Sequence, residues 1–187
     1  MELLGAHQEA MDGFDTVLRQ VRTAEWDAPT PCSAWSVSAL VNHLVSEQLW
    51  VPSLLRGATI EQQGSRFDGD NLGDDPVAAW RSAAAASRTA WLEASVLERM
   101  VHLSFGTVPA TQYCWQMTLD LAVHAWDLAT GIGAEYRIAD ELAATLLDVF
   151  AAEIPRWHAS GLFGPPVFVP EDADLHTQLI ALLGRHP

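Results

Sequence analysis

Residues 111–129, TQYCWQMTLDLAVHAWDLA, are the stretch that decides the fold. Tyr113, Met117, Asp120, Leu121, His124 and Leu128 recur at spacings of three and four, so they share one stripe of a helix closing at Thr130-Gly131. Two members of that stripe are not hydrocarbon. Asp120 and His124 are four residues apart and face the same way one turn apart. Burying an uncompensated carboxylate costs several kcal/mol, which a cation would remove. A carboxylate and an imidazole at this spacing can converge on one metal ion, as facing side chains do in bundle-core metal sites.

The flanking sequence supplies further helices. Leu3, Leu4, Ala10, Met11, Phe14, Val17, Leu18 and Val21 mark an amphipathic first helix with His7 and Phe14 on its inner face. The loop Asp27-Ala-Pro-Thr-Pro-Cys32 ends it. A second helix starts at Trp35-Ser36 with Ser36 as N-cap and runs to about Gly57. It carries His43 between Leu40 and Leu44, on the buried stripe. Residues 58–75 read as a polar loop, and Asp75-Pro76 as N-cap and first-turn proline of a third helix reaching about Ser95. MVHLSFGTVPA, residues 100–110, alternates and contains Gly106 and Pro109, so an extended excursion or short hairpin is expected. A fifth helix is expected over Asp140–Trp157, followed by a loop and a short helical stretch ending near Leu182. No internal repeat or interdomain linker interrupts residues 1–187. The expectation is therefore one all-α domain, a helical bundle with additional C-terminal helices.

Composition narrows the chemistry. The chain has 187 residues, with 10 Lys+Arg, 24 Asp+Glu and a formal charge of −14. All the cations are arginine, which excludes a lysine Schiff base and a P-loop lysine. So acidic a chain lacks the cations that displace counterions from nucleic acid, and an anionic membrane surface would repel it. No apolar run approaches the ~20 residues that span a bilayer. The amino terminus lacks the basic flank of a signal peptide. Cys32 and Cys114 make no disulfide framework, and a cytoplasmic location is expected.

His43 could complete a site with Asp120 and His124. Two nitrogens and one oxygen form a three-ligand set with a fourth position open, as a catalytic zinc requires. On spacing alone, His43 also reads as a hydrogen-bonded core histidine, and Asp120–His124 as a salt-linked pair. Glu47, one turn after His43, reads as a further ligand, a partner orienting an imidazole, or an exposed helix acid. His7 reads as core or pocket lining, Asp127 as a loop anchor or substrate contact, and Cys32 as a small loop residue or a thiol near a helix start. Most of the eight tryptophans fall on apolar stripes, and one or two could wall a pocket above the metal. The segment from Asp68 to Gly73 lacks the ligand pattern of a calcium loop.

The segment Thr30-Pro-Cys-Ser-Ala-Trp35-Ser-Val-Ser-Ala-Leu40-Val-Asn-His43-Leu resembles the entry to the second helix of the DinB-like superfamily. Within it, the nearest likeness is to the actinobacterial mycothiol-dependent maleylpyruvate isomerase N-terminal, metal-binding group. Asp120-Leu-Ala-Val-His124-Ala-Trp126-Asp127-Leu-Ala is similar to that group's fourth-helix motif. Leu72-Gly-Asp-Asp-Pro76 and Leu183-Gly-Arg185-His-Pro187 resemble one of its branches. The resemblance implies a DinB-like four-helix bundle holding a divalent metal, zinc before Ni2+, Fe2+ or Mn2+, through His43, Asp120 and His124. The isomerase usually carries glutamate at the position of Asp120, and it has a second C-terminal domain beyond the length expected here.

From the resemblance, the first functional expectation is a metal-dependent thiol S-transferase or isomerase, with a mycothiol-type thiol as cosubstrate and a small electrophile as substrate. A non-catalytic metal-dependent binding or regulatory domain is the alternative, and a metal-dependent hydrolase with Glu47 as base a lesser one. Assembly is left open, a homodimer included.

Overall fold

A computed structural model describes residues 1–32, 34–161 and 163–187. Among the described residues the long helices are α1 (Leu3–Leu18), α2 (Val37–Leu55), α4 (Pro76–Trp91) and α5 (Ala110–Ile132). Shorter ones are α3 (Ile60–Gln63), α6 (Asp140–Phe150), α7 (Ile154–Ser160) and α8 (Leu175–Leu182). One hairpin, β1 (Met100–Leu103) with β2 (Gly106–Pro109), precedes α5 and pairs antiparallel, Val101 opposite Val108. The described chain divides into two compact units, Glu2–Glu135 and Tyr136–Pro187 with Met1.

In the first unit α1, α2, α4 and α5 form a four-helix bundle, with α1 packed mainly on α5 and α2 on α4. Local chemistry sets the helix starts. Ser36 accepts a hydrogen bond from the Ala39 amide at α2, and Asp75 accepts one from Ala78 at α4, ahead of Pro76. The inner faces bury Phe14, Leu40, Leu44, Trp80, Trp91, Leu121 and Leu128 almost completely. Burying each such side chain contributes about 1.5–3 kcal/mol. Phe14 and Trp80 meet edge to face with ring centroids 4.6 Å apart. At the other end Arg88 Nη1 donates to Leu4 O at 3.1 Å, so α1 and α4 run antiparallel.

Five boundaries differ from the sequence reading. Helix α1 stops at Leu18, short of Val21, and a 3-10 turn at Thr23–Glu25 precedes the proline loop. Residues 58–75 are not all loop: the Thr59 hydroxyl accepts from the Gln62 amide, the Gln62 side chain accepts from the Thr59 amide, and this capping box forms the single turn α3. Helix α4 ends at Trp91, and a 3-10 turn, Val96–Glu98, follows Ser95 in the left-handed region. Helix α5 runs past Gly131 to Ile132 and closes on left-handed Gly133. The expected helix over residues 140–157 is two helices. Pro155 cannot donate to the ladder and its ring opposes the carbonyl four residues back, so it starts α7 instead of continuing α6.

In the second unit, Arg137 bridges Asp140 and Asp174 at 2.9 and 3.1 Å, and the Ile138 amide donates to His176 Nδ1. Among the described residues, no helix is long and apolar enough to cross a membrane.

Candidate metal centre

His43 stands in the second turn of α2, and Asp120 and His124 lie one turn apart in the middle of α5. The packing of α2 beside α5 brings them together. His43 Nε2 is 3.2 Å from Asp120 Oδ2, and His124 Nε2 is 3.3 Å from Asp120 Oδ1. One donor atom from each of the three lies within 4.8 Å of the others. Bonds of about 2.0–2.1 Å arranged tetrahedrally separate neighbouring ligand atoms by about 3.3 Å. The two measured contacts are near that spacing but run to different oxygens of Asp120, and the two-nitrogen, one-oxygen donor set suits a divalent cation. His43 and Asp120 keep 26% and 30% of their side chains exposed, so the cluster is reachable from solvent.

His124 is held from behind. The Asp127 side chain is fully buried, and its Oδ2 lies 2.9 Å from His124 Nδ1. A carboxylate can only accept, so Nδ1 carries the proton and Nε2 is left to face Asp120 and His43. The Cys32 thiol donates to the same Oδ2 at 3.3 Å, and its sulfur lies 3.9 Å from Nδ1. Cys32, His124 and Asp127 thus form a second cluster of close donor atoms sharing the imidazole.

The loop before α2 supplies one wall. Its backbone is tied down by Val37 N to Ala28 O, Ser38 N to Trp26 O, and Thr30 N and Oγ1 to Trp35 O. That places the Trp35 ring 4.6 Å from the His43 ring and 5.5 Å from that of His124, centroid to centroid. Gly131 lets α5 approach this loop, because a Cβ there would meet Pro29 O and Thr30 Cγ2 at 3.1 Å. A second strap lies along α2 on either side of His43. Asn42 Nδ2 donates to Gly69 O, Asn42 Oδ1 accepts from the Asn71 amide, and Ser46 Oγ donates to Phe67 O.

Electrostatics follow from this crowding. Burial works against an ionised Asp120, but the His124 charge and hydrogen bonds from both histidines outweigh it and hold the carboxyl below its usual range. Burial likewise opposes protonation of His124, while Asp120, with hydrogen bonds involving Asp120, Asp127 and Cys32, raises its pKa well above the ordinary value. Burial pushes the Glu47 carboxyl up to about 7, with Asp120 adding to the effect and the two histidines opposing it.

Of the residues singled out by sequence, His43, Asp120 and His124 therefore meet. Glu47 belongs to neither cluster of close donor atoms. His7 is fully buried in the bundle core beside Trp91. Cys114 is fully buried as well. Sequence reasoning did not anticipate the joint contact of Asp127 and Cys32 on His124. The available signal was positional: Asp127 falls one turn after His124 on the same helix.

Residues 7–129 match the family profile described as Mycothiol maleylpyruvate isomerase N-terminal domain. Two relatives from Mycobacterium tuberculosis, Uncharacterized protein Rv0738 (strain ATCC 25618 / H37Rv) and Uncharacterized protein MT0763 (strain CDC 1551 / Oshkosh), are each 32% identical over 191 residues, covering 99% of this chain and 98% of their own. The fold is shared with two crystal structures, of mycothiol-dependent maleylpyruvate isomerase and of a histidine-to-alanine mutant of it. Their TM-scores are 0.66 and 0.67 at 20% and 19% identity, covering 86% of this chain and 73% of theirs.

Proposed function

Because the chain belongs to the mycothiol maleylpyruvate isomerase N-terminal domain family, we propose that it is a metal-dependent S-transferase or isomerase joining a mycothiol-type thiol to a small electrophile. The observation that carries this reading is the convergence of one donor atom each from His43, Asp120 and His124 within 4.8 Å of one another. These three residues would hold the cation, with zinc favoured by the nitrogen-rich donor set. A divalent metal in that position supplies Lewis acidity and lowers the pKa of a bound thiol, so that thiolate is available near neutral pH.

The chain's own groups prepare the site. Asp127 keeps the proton on His124 Nδ1 and aims Nε2 at the centre. Asp120 contributes one negative charge between two imidazoles, which makes the pocket attractive to a cation. Trp35 packs against the two histidine rings and forms one wall of the site. Three protein donors leave room for an exogenous ligand, the thiol in this reading. A cytoplasmic location fits Cys32 and Cys114 not being joined in a disulfide.

The test is metal content of the purified protein, alongside His43→Ala and His124→Ala, followed by thiol consumption with an electrophilic aryl chloride. Bound metal in the parent, its loss in both variants, and thiol transfer only by loaded protein are expected. Retention of metal by both variants would sink the site. Metal binding without thiol transfer to any electrophile would instead favour a binding domain without turnover.

A further inference from the structure

Among the described residues, seven polar side-chain atoms in the bundle core have no hydrogen-bond partner within the protein: both ring nitrogens of His7, both amide atoms of Gln48, Ser87 Oγ, Trp91 Nε1 and the Tyr113 hydroxyl. His7, Gln48, Ser87 and Trp91 are 0% exposed and Tyr113 is 4% exposed. All four long helices contribute: His7 from α1, Gln48 from α2, Ser87 and Trp91 from α4, and Tyr113 from α5.

Three of them are neighbours, and Gln48 and Ser87 each stand one turn along a helix from a residue of the same core cluster. The Trp91 ring lies 5.8 Å from the His7 ring and 5.5 Å from the Tyr113 ring. Val51, one turn after Gln48, packs in the same apolar cluster as Trp91 and Tyr113. Ser87 is one turn before Trp91 on the same face of α4.

Each buried donor or acceptor left unpaired costs a sizeable share of a domain's marginal stability, so seven in one layer need a partner from outside the chain. The chemistry of the five residues says which. They offer donors and acceptors in mixture, with no carboxylate, and His7 is kept neutral by burial and by the neighbouring Arg88. A neutral ligand that both donates and accepts matches that set, whereas a metal or an anion does not.

We propose that this layer is an internal hydration site, in which ordered water joins His7, Gln48, Ser87, Trp91 and Tyr113 into one hydrogen-bonded cluster between the four helices. With about three hydrogen bonds per buried water, about three waters would satisfy it. The layer lies about two helical turns along α5 from the candidate metal centre. Glu47 precedes Gln48, Tyr113 lies two turns before Asp120 on one stripe of α5, and Tyr113 feels the charges of Glu47 and Asp120. The hydrated layer stands whether or not the metal reading does.

Two measurements test it on the intact protein. Magnetic relaxation dispersion of 17O-labelled water counts waters held longer than the tumbling time, and a high-resolution crystal structure locates them. Wild type is expected to show long-lived water at His7 and Gln48. The count should fall in Gln48→Leu and in Tyr113→Phe and stay unchanged in Glu61→Gln, an exposed position on α3. A dry layer in wild-type electron density, with these side chains paired directly to one another, overturns the proposal. So does a count that ignores both layer variants. If those variants do not fold, the wild-type density decides.

Discussion

Asp127 is one residue on which the behaviour of the centre turns, although it is not among the three convergent donors. It is fully buried and accepts from both His124 Nδ1 and the Cys32 thiol. Removing it takes away the acceptor of the His124 Nδ1–H and lets the imidazole turn or change tautomer. Asp127→Ala is expected to weaken metal affinity about 10- to 100-fold, with Asp127→Asn intermediate because its carbonyl oxygen can still accept. Competition against a chromophoric chelator measures this, and parent-like affinity in Asp127→Ala would contradict the orienting role. The Asp120–His124 pair was legible in sequence because four-residue spacing on a helix fixes relative direction. Cys32 was not, since nothing local links a loop thiol to a carboxylate 95 residues away.

At the scale of elements, two close approaches position the centre. Gly131 sits inside α5 where the loop before α2 crosses it. Alanine there gains helix propensity, about 1 kcal/mol over glycine, but places a methyl 3.1 Å from the Pro29 carbonyl oxygen, a backbone atom that yields poorly. Gly131→Ala is therefore expected to lower the melting temperature and to shift Trp35 emission as the loop is displaced. A melting temperature equal to or above the parent's would show that the loop yields freely.

The strap over α2 depends on Asn42, which makes one hydrogen bond to Gly69 and another to Asn71. Asn42→Ala should release it, and limited trypsin digestion should then cut faster after Arg66. An unchanged cleavage rate would mean that Ser46 and the Trp50–Phe67 ring contact suffice to hold it. The bundle helices were read from their 3.6-residue period and caps. Their ends moved where a single glycine, proline or capping box outweighed the periodicity.

For the whole molecule, acid stability reports on the buried His7. Burial, reinforced by the Arg88 charge, lowers its pKa from 6.5 to about 3. Below pH 6.5 the unfolded chain takes up a proton that the folded chain refuses. The contribution is therefore fully present above 6.5 and is lost as pH falls toward 3. The slope approaches about 1.4 kcal/mol per pH unit within that window. His7→Gln should flatten the stability profile between pH 6.5 and 3 relative to the parent in denaturant titrations. Identical slopes would show that His7 reaches solvent when it protonates.

Metal linkage acts in the same currency. A cation bound only by the folded state adds about 2.7 kcal/mol at one hundred times its dissociation constant. Chelator should lower the melting temperature of the parent and leave that of His124→Ala unchanged.

By itself the sequence determined the helices, their principal caps, and the inward pairing of Asp120 with His124. Those depend on backbone geometry repeated every few residues, which the order of side chains records directly. The sequence offered His43 as a third donor, but only the tertiary structure brings its Nε2 to 3.2 Å from Asp120 Oδ2, across 77 residues. The tertiary structure alone also decided that Cys32 and Asp127 would meet behind His124, and that four helices would each place a polar residue in one buried layer. Such contacts depend on which helix faces which and at what level. That is set by the packing of whole inner faces, and no short window of sequence contains it.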